Sequence, residues 1–202
     1  MSGKLLKTFF SSGLQAVSVQ VLGVIYLGIV SYYLSESDFG IISWGNAVSM
    51  FITTLLGFGL EQVVVRRIAA SKSSDWAGAA FLFHAFVGSV IGIGLVFAFA
   101  GLFSGYNQGT SYLPLFFLAQ SFLFLVIPLK QFLNAKHIFT PYGVIAIVSN
   151  VLKLVLLYIV VKKELLDITT VAYVLIASAV IEFTCMLIYV LKKTDFSFSF
   201  KK

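Results

Sequence analysis

Two charged side chains lie deep within apolar runs: Lys153 in Tyr142–Val161 and Glu182 in Ile168–Leu191. An ionised group is costly where water is excluded, so a charge there points to a partner, a proton path or a substrate. Only a short connection separates the two runs, so as helices they are antiparallel neighbours. At about 1.5 Å per residue, Lys153 lies about 14 Å from that connection and Glu182 about 21 Å. A lysine side chain bridges much of the offset. The pair therefore reads as a structural ion pair joining two helices, or as the charged lining of a substrate or proton path. Either role would meet the cost of burial. His84 is alone in the run Ala77–Phe103. It reads first as a hydrogen-bonded packing residue and second as a proton carrier, because imidazole titrates near neutrality.

Neutral polar residues add two stripes. Ser11, Gln15 and Ser18 recur at spacings of four and three, which puts them on one helix face, and Ser43, Asn46, Ser49 and Thr53 do the same. Such stripes either hydrogen-bond across a helix interface or face a water-filled cavity, and the bulky Gln15 and Asn46 favour the cavity. Gly88 and Gly92 form a GxxxG pair, which reads as a site of close helix approach. The single cysteine, Cys185, excludes an intramolecular disulfide, and no Cys/His spacing suits a metal. Clustered His, Asp or Glu of the kind a lipid-modifying enzyme needs is also missing, and His137 falls in a connection. We therefore expect no cofactor and no enzymatic activity.

The elements that position these residues follow from composition. Hydrophobic residues make up 59% of the chain and charged residues 11%, against about 25% charged in a soluble domain. The apolar residues come in continuous blocks of roughly 20, the length that crosses a bilayer as a helix. A barrel would instead alternate apolar and polar residues in shorter segments. The reading is an all-α integral membrane protein with six transmembrane helices: Phe9–Leu34, Phe39–Leu60, Ala77–Phe103, Tyr112–Leu133, Tyr142–Val161 and Ile168–Leu191. Ser35-Glu36-Ser37-Asp38 supplies cap-forming residues before the second span, and Pro141 sits where a first helical turn tolerates it. Gly105 to Gly109 forms a turn-rich break, and Pro128 is expected to kink the fourth span.

The net charge of +6 does not indicate nucleic acid, because the basic residues lie between apolar blocks rather than on one soluble patch. Their distribution gives orientation. With the N-terminus cytoplasmic, eleven of the fourteen fall inside: Lys4, Lys7, Arg66, Arg67, Lys72, Lys130, Lys136, Lys192, Lys193, Lys201 and Lys202. Only Lys162 and Lys163 fall outside, and Lys153 is within a span. Both termini are therefore expected on the cytoplasmic side. Lys4 and Lys7 before an apolar run resemble a signal sequence. The run is too long for a cleaved one and lacks a small-residue cleavage site, so it reads as an uncleaved first span.

The stretch YYLSESDFGIISWGNAVSMFITTLLGFGLEQVVVRRIAA, Tyr32 to Ala70, closes a span in Gly57-Phe58-Gly59-Leu60 and leads to Arg67-Ile68-Ala69. It resembles the N-terminal part of the Wzx-like polysaccharide-biosynthesis flippases of the multidrug/oligosaccharidyl-lipid/polysaccharide exporter superfamily. QFLNAKHIFTPYGVIAIVSNVLKLVLLYIVV, Gln131 to Val161, is similar to that family's fourth-to-fifth helix passage. The likeness spans most of the chain in helix order, through glycines, aromatics and a few charges.

The resemblance implies export of an oligosaccharide on undecaprenyl pyrophosphate across the bacterial cytoplasmic membrane, for O-antigen, capsule or exopolysaccharide synthesis. It implies two six-helix lobes around a central cavity and coupling to an ion gradient. On that implication Gln15, Ser18, Asn46 and Thr53 contact sugar. Lys153 and His84 face the pyrophosphate, Glu182 answers to a proton or cation, and Arg66 and Arg67 line the inner mouth. The chain ends after six spans, so one lobe is expected here. A second lobe or a second copy is the expected partner, beside membrane lipids and the lipid-linked oligosaccharide. The first span lacks the arginines expected of a lipid II flippase. The rival readings are a multidrug or cation antiporter of the same superfamily, and a non-transporting membrane scaffold or remnant.

Overall fold

The structure is a computed structural model that describes residues 3–70, 75–103, 108–136 and 138–194. The described residues form seven α-helices: α1 Gly3–Tyr33, α2 Glu36–Gly57, α3 Leu60–Ala70, α4 Asp75–Phe103, α5 Leu113–Ala135, α6 Thr140–Lys162 and α7 Ile168–Lys193, with a short 3-10 turn at Gln108–Ser111. Six of them, all but α3, are long and apolar enough to cross a membrane. Their outward faces carry large apolar side chains such as Val24, Phe97, Val148 and Ile188, as a lipid-facing surface requires.

Local chemistry sets the helix ends. The Ser35 side chain caps α2 by accepting from the Asp38 N–H at 3.1 Å. At α7, Asp167 accepts from the Thr170 N–H at 2.6 Å, while the Thr170 hydroxyl oxygen accepts from the Asp167 N–H at 2.9 Å. Pro114 and Pro141 occupy the first turns of α5 and α6, where the missing N–H has no intrahelical partner to lose. α5 continues through Pro128, which is buried. The second span starts and ends three residues earlier than its apolar run suggests. α2 stops at Gly57, and Phe58 (φ 45) and Gly59 (φ 68) turn the chain into α3 through two left-handed residues. Most of the Gly105–Gly109 break lies outside the described residues, as do His137 and Lys72.

α5 is the centre of the bundle: 61% of its span is buried, against 11% for α1. It packs on α2, α3, α4 and α7, while α6 bridges α7 to α1. α1 and α2 scarcely touch although they are joined by a short connection. Without a hydrophobic drive between helices in lipid, close packing must hold the bundle. Gly45 and Gly92 supply it. A Cβ on Gly45 would lie 2.5 Å from the Phe116 ring, and one on Gly92 would lie 2.6 Å from the tip of Phe117. Both rings are fully buried. Gly88 faces Phe124 and Leu56 at ordinary contact distance, so the GxxxG face of α4 receives aromatic side chains of α5.

The interior has two main apolar layers. One gathers Phe124, Leu129, Phe132, Met186 and Val190, with Val64 and Ile68 of α3. The other gathers Tyr26, Val30, Ile42, Phe116, Leu157 and Val171. On α5, α6 and α7, the stretches between these layers carry polar residues: Gln120; Ser149, Asn150 and Lys153; Ser178 and Glu182.

Candidate functional site

That polar layer encloses a cavity of about 250 Å³ where five helices converge. Val19 of α1, Asn46 of α2, Gln120 of α5, Asn150 and Lys153 of α6, and Ser178 and Glu182 of α7 line it. The i, i+3 and i+4 spacings of a helix put Ser149, Asn150 and Lys153 on adjoining faces, and Ser178 and Glu182 on one face.

Lys153 and Glu182 share this cavity, each held by a neutral side chain. The Lys153 ammonium donates to Asn150 Oδ1 at 2.8 Å and lies 4.8 Å from the centre of the Tyr26 ring. Glu182, only 9% exposed, accepts from the Ser149 hydroxyl at 2.6 Å. Asn150 is itself anchored, donating to the Ala146 carbonyl at 2.8 Å. Among the described residues the two charges make no direct ion pair, yet they are within electrostatic range, and Lys130 also acts on Glu182. Between the charges lie amides and hydroxyls, groups that can turn toward a third participant such as water, a proton or a cation. The Tyr26 hydroxyl is buried without a hydrogen-bond partner, and no cluster of His, Cys, Asp and Glu among the described residues could hold a metal.

The other candidates are dispersed. Asn46 lines the cavity, but Thr53 turns its hydroxyl back on its own helix, donating to the Ser49 and Met50 carbonyls at 3.1 and 3.0 Å. Ser18 is half-buried on α1, and the side chain of Gln15 lies outside the described residues. His84 is remote from the cavity lining. Its Nε2 donates at 2.8 Å to the Leu56 carbonyl, one of the last four that an α-helix leaves unpaired. It thereby caps α2 just before the left-handed turn, the packing role read first from the sequence. Arg66 and Arg67 are exposed on α3, with Arg66 beside a groove between α3 and α5.

Gln120, Ser149, Asn150, Ser178 and Tyr26 escaped the sequence reading. The signal that could have found them was proximity: Ser149, Asn150 and Ser178 stand within about one helical turn of Lys153 or Glu182, and Gln120 interrupts the apolar middle of α5.

A family model described as polysaccharide biosynthesis protein matches residues 5–202. Comparison with curated proteins and with solved structures gives no match.

Proposed function

This chain belongs to the polysaccharide biosynthesis protein family, and from that premise we propose that it moves a lipid-linked oligosaccharide, of the undecaprenyl-pyrophosphate kind, from the cytoplasmic to the outer leaflet. The observation that carries the reading is the ion-bearing polar layer inside the bundle. Buried charges at membrane depth cost free energy that a purely structural bundle avoids. The cavity holds a cation and a carboxylate together, so it is the family match that sets this reading above the antiporter one.

The cavity of about 250 Å³ is smaller than the roughly 300–1,000 Å³ of a small-molecule pocket. In our reading Lys153 and Glu182 therefore do not enclose the saccharide. They sense it, or a coupling proton or cation, and bias the helices between two arrangements. The termini are cytoplasmic by the positive-inside pattern, and a second lobe or second copy completes the wall of the path. The work is translocation, with no bond made or broken.

The test is flipping of undecaprenyl pyrophosphate bearing a fluorescent saccharide in proteoliposomes under an imposed proton gradient. Wild type should raise the rate, and Lys153→Gln should lower it by at least about tenfold, the effect of losing roughly one charge-assisted hydrogen bond. Wild-type rates at the protein-free level would end the transport reading. Unchanged flipping in Lys153→Gln would remove that residue from the mechanism.

A further inference from the structure

Beyond the internal cavity, one face of α5 continues in polar residues toward its C-terminal end. Gln120, Lys130 and Asn134 share that face, with Leu123 and Ile127 filling the intervening three- and four-residue steps. Gln120 to Asn134 spans about 21 Å along the axis. Three spaces adjoin along this track. The cavity shares Val19 with a groove of about 480 Å³ between α1, α5 and α6, and that groove shares Asn134 and Phe139 with a second, of about 430 Å³, beside α3. Each groove is larger than the cavity, and both lie at the end of the bundle that the positive-inside pattern places in the cytoplasm.

The two grooves differ in chemistry. The first holds Lys130, with Gln20 on the facing helix and Tyr142 beneath the ammonium at 4.7 Å from the ring centre. Among the described residues no carboxylate lies within ion-pair distance of Lys130. The second holds a fixed relay. Gln131 Nε2 donates to Glu61 Oε2 at 2.9 Å, and Asn134 Nδ2 donates to Gln131 Oε1 at 3.1 Å. Phe139 supplies an aromatic surface to both grooves, and Arg66 closes the α3 side. One end thus offers a cation, and the other offers amides held in place between a carboxylate and Arg66. Lys130 attracts an anion to the first, while at the second Glu61 and Arg66 offset each other and the amides suit sugar hydroxyls, which both donate and accept.

We propose that this double groove is the cytoplasmic docking site for the head group of the cargo, with the pyrophosphate at Lys130 and the proximal sugar between Asn134, Gln131 and the Phe139 ring. This rests on the transport reading above and adds to it the place and polarity of head-group recognition.

The test is binding to the full chain in nanodiscs, with three probes: undecaprenyl pyrophosphate bearing N-acetylglucosamine, undecaprenyl phosphate without sugar, and phosphatidylglycerol. Wild type should bind the sugar-bearing lipid most tightly. Lys130→Gln should weaken both undecaprenyl lipids about tenfold, and Lys130→Arg should restore them. Asn134→Ala should weaken only the sugar-bearing lipid. Equal binding of every probe by Lys130→Gln and wild type, with the sugar lipid still flipped, would overturn the docking site and leave the transport reading standing. Loss on Lys130→Gln that is the same for phosphatidylglycerol would also overturn it, as a generic anionic-lipid contact. Failure of wild type to bind or flip either undecaprenyl lipid would overturn both.

Discussion

Gly92 and Gly94 lie on the same helix at nearly the same depth and differ in what faces them. A Cβ on Gly92 would meet Phe117 Cζ at 2.6 Å, Phe117 Cε1 at 2.9 Å and Leu56 Cδ1 at 3.2 Å; one on Gly94 would meet nothing within 4 Å. Carbon atoms rest about 3.5–4.0 Å apart, so Gly92→Ala forces the Phe117 ring back by roughly 1 Å. That ring is 0% exposed, so it can move only by displacing its neighbours in the core. Overpacking of this kind costs about 1–3 kcal/mol. Any gain from replacing glycine by alanine in a helix, about 1 kcal/mol in soluble hosts, is shared by both variants and cancels in their difference. Gly92→Ala should therefore be about 1–3 kcal/mol less stable than Gly94→Ala, read from unfolding by SDS in mixed micelles. Shortening the ring with Phe117→Leu should recover at least about 0.5 kcal/mol in a double-mutant cycle. Equal stability of the two alanine variants would refute the reasoning that aromatic side chains of α5, seated on glycines of α4, hold this face of the bundle.

Other outcomes follow from the same geometry. His84→Ala leaves the Leu56 carbonyl without its 2.8 Å donor, so stability should fall by about 1 kcal/mol while binding of the undecaprenyl lipids is unchanged; a binding defect at unchanged stability would give His84 the proton-carrying role instead. Orientation is accessible through the single native thiol, Cys185, which is exposed. In a Cys185→Ala background, Lys163→Cys should react with an impermeant maleimide on intact cells and Lys192→Cys only after lysis. The reverse pattern would invert the topology and place the double groove on the outer face.

The bilayer makes some properties of this chain readable without coordinates. Its thickness demands long apolar runs, so the six spanning helices and their caps at Ser35 and Pro141 were evident in residue order. The rarity of charge in hydrocarbon singled out Lys153 and Glu182 for the same reason. The resemblance seen in Tyr32–Ala70 and Gln131–Val161 is borne out by the family match over residues 5–202. Helix α3 was missed, because its mean polarity hid it behind the preceding apolar run. Its i, i+4 pair Val64 and Ile68, buried against α5 and α4, was the available sign.

The α6–α7 contact followed from their short connection, but which other helices touch was not readable, and the physical reason is general. Apolar side chains are as well solvated by lipid as by one another, so hydropathy carries no information about partners. α1 lies on α6 rather than on α2. Only the packing of α5 at the centre, set by glycines opposite phenylalanines, brings Gln120 to the two charges. Residue types and spacing along the chain named the ions; the convergence of five helices made a site of them.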